Sequence, residues 1–120
     1  IAYCFASADG LCKVGSYTGN GSTDGTFVYT GFRPSFLITK HISSGNWAVW
    51  DNRRDPENVV DNLLYPNLNN AQNTGTDRFD FLSNGFKCKN TNDANAWNAS
   101  GVEYLYLSIA EQPFKFANAR

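Results

Sequence analysis

A chain of 120 residues with a formal net charge of -1 has room for one domain with a core of its own, so disulfides are not needed to hold it together. That charge balance leaves no electrostatic footprint for nucleic acid, and no cationic run exceeds Arg53-Arg54, which argues against a basic membrane-binding segment. Aromatic residues reach 15%, Gly and Asn are abundant and Met is absent, a mixture of turn formers and strand formers that points to an all-β fold.

Ile1–Ala6 is apolar throughout and reads as a strand, too short for a signal peptide or membrane insertion. The chain opens on Ile rather than Met, inside that strand. Ile1–Ala6 also resembles Leu105–Ala110, and Cys12-Lys13-Val14 lines up with Phe114-Lys115-Phe116. The likeness of the two ends suggests a tandem array. Residues 1–12 are then the end of a preceding repeat or a linking strand, residues 13–120 form a β-sandwich unit, and the chain is one unit of a longer protein.

Lys13–Tyr17 and Thr26–Thr30 read as strands around the loop Thr18–Gly25. That loop is glycine-rich but is no phosphate loop, because no Gly-Lys-Ser/Thr ends it and no helix follows. Its glycines are read as turn chemistry. Ser35–Lys40 follows Pro34, which can open a strand, and Trp47–Asp51 is the next strand. Residues Pro56–Leu64, behind the capping pair Asp55-Pro56, are the one place for a short helix. Phe79–Leu82 and Phe86–Lys89 flank Ser83-Asn84-Gly85, the strongest hairpin signal in the chain. Glu103–Ala110 alternates Tyr104, Tyr106 and Ser108 with Leu105, Leu107 and Ile109. Both of its faces are largely apolar, as in a strand covered on two sides. Seven or eight short strands with Gly/Asn turns predict a β-sandwich, jelly-roll-like, with at most one short helix.

Candidate chemistry is sparse. Three cysteines, Cys4, Cys12 and Cys88, cannot form a closed disulfide set and read as buried free thiols of a protein assembled in a reducing cytosol, with a Cys4–Cys12 bridge as the alternative. A lone His41 cannot build a zinc site or support a hydrolase triad. Asp51, Asp55, Glu57 and Asp61 are interleaved with Arg53 and Arg54, which suggests ion pairs and caps rather than a glycosidase pair. Asn90, Asn92, Asp93, Asn95 and Asn98 cluster around Trp97 but lack the loop pattern and distal Glu of a calcium site. No metal, cofactor or catalytic pair is therefore expected. The functional reading of that cluster is glycan contact, with the Trp97 ring against sugar C–H groups and the amides of Asn95 and Asn98 bonding hydroxyls. Asn20-Gly21-Ser22 and Asn98-Ala99-Ser100 match the N-glycosylation acceptor pattern.

Several runs, in chain order, carry a resemblance. They are Ile1–Ala6, Val14-Gly15-Ser16-Tyr17-Thr18-Gly19-Asn20-Gly21-Ser22, Phe27-Val28-Tyr29-Thr30-Gly31-Phe32-Arg33-Pro34, Asn46-Trp47-Ala48-Val49-Trp50-Asp51, Asp80-Phe81-Leu82-Ser83-Asn84-Gly85-Phe86-Lys87, Asn98-Ala99-Ser100-Gly101 and Ile109-Ala110-Glu111-Gln112-Pro113-Phe114. Together they look like a repeat domain of tail-fibre proteins of tailed phages, notably phages of marine bacteria. The resemblance implies a non-enzymatic structural module of a virion fibre. Its partners would be other fibre subunits, in a homotrimer, and adjacent repeats of the same protein. It would be assembled in the host cytoplasm and located on the phage particle. The alternative is a glycan-binding, lectin-like receptor-recognition module that contacts a host surface glycan.

Overall fold

Alternating apolar positions, interrupted by Gly- and Asn-rich turns, fold into seven strands: β1 (Cys12–Thr18), β2 (Phe27–Tyr29), β3 (Pro34–His41), β4 (Trp47–Asp51), β5 (Phe79–Leu82), β6 (Gly85–Cys88) and β7 (Glu103–Ala110). The structure is a computed structural model that describes residues 1–75, 77–89 and 97–112. Among these residues there is no helix. A four-stranded sheet has the order β1-β7-β3-β4 and a three-stranded sheet the order β2-β6-β5. Every pairing within them is antiparallel. The chain is a β-sandwich. Its outer strand pairs wrap in the jelly-roll manner, because β1 pairs with β7 in one sheet while β2 pairs with β6 in the other.

The core between the sheets is aromatic. Trp50 of β4 meets Phe79 of β5 edge-on, with ring centroids 4.6 Å apart. Phe86 of β6 receives Tyr17 of β1 at 5.8 Å and Tyr106 of β7 at 5.3 Å. Edge-to-face contacts set the positive rim of one ring against the negative face of another and add to what burial alone contributes. Leu37, Leu63, Phe79, Phe86 and Tyr104 are fully buried among them.

Seven of the predicted strands are present, and the eighth is not. Ile1–Ala6 makes no ladder. Ala8 forms a single bridge with Cys12, and beyond it the Ser7 hydroxyl accepts the Val14 N–H at 3.1 Å, in the place a strand carbonyl would occupy. Tyr3 and Phe5 leave the edge of β1 and lie along the outer face of the larger sheet.

Residues 56–64 cross from one sheet to the other in place of a helical turn. Val60 bridges Phe79 of the smaller sheet, and Leu64 bridges Val49 of the larger. Asp55, expected to cap a helix, accepts the backbone N–H groups of Asp61 and Asn62 at 3.1 and 2.8 Å. The amide of Asn58 stands in for a strand neighbour of β5, accepting the Phe81 N–H and donating to the Phe81 carbonyl, both at 2.9 Å.

Two glycine-containing turns differ from the expected turn chemistry. The β5–β6 hairpin turns on Ser83 and Asn84, since Leu82 pairs with Gly85. Among the described residues no non-glycine has positive φ, so this is not the Asn-Gly turn with left-handed residues. Gly85 is needed for proximity: a Cβ there would sit 2.0 Å from the Val28 carbonyl oxygen. In the loop before β2, Gly21 is left-handed (φ 69), whereas a Cβ on Gly19 would meet Ala99 O at 2.2 Å and one on Gly25 would meet Cys88 O at 2.4 Å. Backbone contact, as much as turning, explains the glycine-rich loop.

Candidate functional site

Trp97, Asn98 and Asn95 were the expected glycan contacts. Trp97 is a core residue, 3% exposed, with its ring edge-on to Trp50 at 4.8 Å. Its carbonyl accepts the Tyr17 hydroxyl at 2.8 Å. No aromatic face is left for a sugar. Asn98 is completely buried. Its Oδ1 accepts the N–H groups of Asn20 and Thr26 at 3.0 and 3.4 Å, and its Nδ2 donates to Asn20 Oδ1 and the Ser22 carbonyl at 2.7 and 2.8 Å. That uses both donors and both lone pairs of the amide. It also removes Asn98 as a glycosylation acceptor in the folded chain. Asn95 lies outside the described residues, as do Asn90, Asn92 and Asp93. No local sequence signal places Trp97 in the core, because the Tyr17 hydroxyl that its carbonyl accepts lies 80 residues away in the chain.

The carboxylates are tied into the fold. Asp51 Oδ1 caps the N–H groups of Arg53 and Arg54 at 2.9 and 2.8 Å, and its Oδ2 pairs with Arg54 Nε at 2.6 Å. Burial pushes the Asp51 carboxyl pKa upward, but these hydrogen bonds and the Arg54 charge outweigh it and hold the group below its ordinary value. His41 Nδ1 accepts the N–H groups of Ser43 and Ser44 at 3.2 and 3.1 Å, which fixes a turn. Arg78, 2% exposed, donates to the Asp61 carbonyl at 2.6 Å and to Asn73 Oδ1 at 3.3 Å. Nothing in the sequence pattern singled it out. Among the described residues, no three His, Cys, Asp or Glu side chains converge as metal ligands.

The cysteines differ from their expected burial. Cys88 is buried, Cys12 is half-buried with its thiol 3.3 Å from the Ala6 carbonyl, and Cys4 is exposed; all three are free. Burial pushes the Cys88 thiol from 9.0 up to about 12 and holds the neighbouring Tyr17 hydroxyl well above its ordinary value. Both groups are neutral in the fold and ionise more readily once unfolded. Their contribution is complete below the unfolded thiol value and drains away as pH rises through the folded one. The melting temperature is therefore expected to fall steeply from about pH 9 upward, and Cys88→Ala should flatten part of that fall. Equal melting temperatures at about pH 8 and pH 11 would contradict this.

Two open surfaces stand out among the described residues. The first is a cleft of about 440 Å³ at the end of the sandwich, lined by Asp9, Lys13, Tyr29, Phe32, Arg33 and Gln112 among others. Tyr29 is 65% exposed there. Arg33 Nε lies 3.2 Å from Glu111 Oε2 but is not aligned for a hydrogen bond, so the contact is an ion pair only. The second is the outer face of the larger sheet, where Tyr3, Phe5, Val14, Trp47, Leu105 and Leu107 line an apolar groove of about 820 Å³.

Residues 1–113 match the profile of DUF7483, a domain of unknown function. The chain belongs to the DUF7483 family. The match is continuous through residues 1–12 and the sandwich, so both open surfaces lie within the DUF7483 unit. No curated protein and no solved structure matches the chain.

Proposed function

We infer that this DUF7483 domain is a structural module of a phage virion fibre, a tail fibre, built from several copies of the chain and, where it recurs, from adjacent repeats. The observation that carries the reading is strand β7. It is the second strand of a four-stranded sheet, hydrogen-bonded on both edges, with Tyr104, Tyr106 and Ser108 buried and Leu105 and Ile109 still exposed. A strand apolar on both faces fits a module whose second face is covered by assembly. The resemblance to tail-fibre repeats supports the same reading: five of its seven segments overlap β1, β2, β4, the β5–β6 hairpin and β7, while Ile1–Ala6 and Asn98–Gly101 lie outside the strands. In this reading the module is not an enzyme and takes no cofactor or metal. His41 and the acidic residues serve turns and ion pairs, and the protein is assembled in the host cytoplasm and carried on the particle. Antibodies raised against the domain should label fibres on purified particles of the phage that encodes it. Label confined to the infected-cell lysate, with none on particles, would sink the proposal.

A second reading, host-glycan recognition, is favoured by the cleft around Tyr29 rather than by Trp97. An exposed ring beside two cationic side chains and the Gln112 amide offers a stacking platform with hydrogen-bond donors at its rim. Tyr29→Ala should weaken binding of a glycan-array hit about fivefold or more, since loss of one stacking ring is worth about 1 kcal/mol or more. Unchanged affinity in that variant removes the cleft from consideration.

A further inference from the structure

The outward side chains of the larger sheet form three rows across all four strands. One row is Val14, Leu107, Ile38 and Val49; the second is Ser16, Leu105, Lys40 and Trp47; the third is Cys12, Ile109, Phe36 and Asp51. Both charged members of these rows are drawn away from the face, and Glu103, exposed on the same side of β7, stands at its margin. Lys40 Nζ bends back to donate to the His41 and Ser44 carbonyls at 2.6 and 3.1 Å, and the Asp51 carboxylate is held by Arg54. Trp47 and Leu105 are each 44% exposed, Ile109 38%, and Tyr3 and Phe5 beside them 82% and 63%.

We propose that this face is the contact between copies of the chain, packed sheet to sheet against the same face of a second copy. The proposal rests on the fibre-subunit reading for its biological setting and adds to it the surface and the partner. Two arguments select a copy. With no free charge projecting from its centre, the face offers nothing for a charged partner to recognise. Self-association instead sets apolar rows against apolar rows with the one exposed charge, Glu103, left at the margin, as a self-complementary contact allows. The extent is also sufficient. Four strands at a spacing of about 4.8 Å, with about 3.3 Å per residue along β7, give a face on the order of 500 Å². Two such faces bury on the order of 1,000 Å², the lower bound for a specific interface, and Tyr3 and Phe5 extend the margin.

Sedimentation and light scattering of the full chain decide the matter. Wild type is expected to be a dimer at micromolar concentration. Leu105→Lys and, independently, Trp47→Lys should each shift it to monomer with an unchanged far-ultraviolet circular dichroism spectrum. Both residues are already partly exposed, so the fold should tolerate the change. Tyr29→Lys, on an exposed position of the other sheet, should leave the oligomer intact. A monomeric wild type would overturn the proposal, and would mean that the face is covered by another protein or by more of the same polypeptide. An oligomer that survives both face variants would overturn it as well. A monomer that still labels on particles leaves the fibre reading standing while this contact fails; an oligomer absent from particles does the reverse.

Discussion

Replacing Trp97 with alanine is expected to unfold much of the domain population at physiological temperature rather than to remove a binding contact. The ring is 3% exposed and packs edge-on against fully buried Trp50. Large-to-small changes of buried aromatics cost about 3–5 kcal/mol, because the lost transfer energy is joined by a cavity the surroundings only partly fill. For a domain of this size that corresponds to a fall in melting temperature of roughly 15 °C. Trp97→Phe keeps most of the volume and should cost well under half as much, about 1.5 kcal/mol or less. A Trp97→Ala protein that melts within about 3 °C of wild type would mean that the core does not depend on this ring.

Asn98→Ala is expected to be comparably damaging for a different reason. The amide makes four hydrogen bonds to the loop that precedes β2. Its removal leaves a cavity and strands part-buried N–H and C=O groups of that loop, and with a fully buried unpaired group costing about 1–3 kcal/mol a total of about 2–3 kcal/mol follows. Asn98→Asp is no rescue. It would turn an oxygen toward Asn20 Oδ1 and the Ser22 carbonyl, where two donors now sit. Hydrogen exchange should show the N–H groups of Asn20 and Gly21, which are held by Asn98 Oδ1 and its carbonyl, losing protection in both variants. A loss below about 1 kcal/mol in Asn98→Ala would show that water replaces the amide without difficulty.

These two residues also mark where reading the sequence stops working. Period-two alternation located seven strands, because a strand buried on one face has to alternate. The two-sided apolarity of Glu103–Ala110 was legible for the same reason, and it becomes a strand with core tyrosines on one face and open leucines on the other. What misled was local composition. A tryptophan among asparagines looks like a surface binding loop, yet Trp97 and Asn98 are drawn inward by partners some 80 residues away in sequence, Tyr17 at |i−j| of 80 and Asn20 at 78. Residues 56–64 failed similarly. Val60, Leu63 and Leu64 stand at helical spacing, but each is taken by a different bridging partner, Phe79, Asn73 and Val49. Ile1–Ala6 carries a strand composition with no neighbour to pair with, because Ser7 already satisfies the edge of β1 at Val14.

The register of β1 against β7 has a mechanical consequence. Cys12 stands opposite Ile109, and the Ala110 N–H reaches the Leu11 carbonyl at 2.7 Å, so the chain enters and leaves the sandwich at one corner. Tension applied across that corner would pull two antiparallel neighbours apart from their shared end. Their hydrogen bonds would then break in sequence, like a zip, instead of resisting together in shear. Contacts between copies, rather than this strand pair, would then have to bear the load.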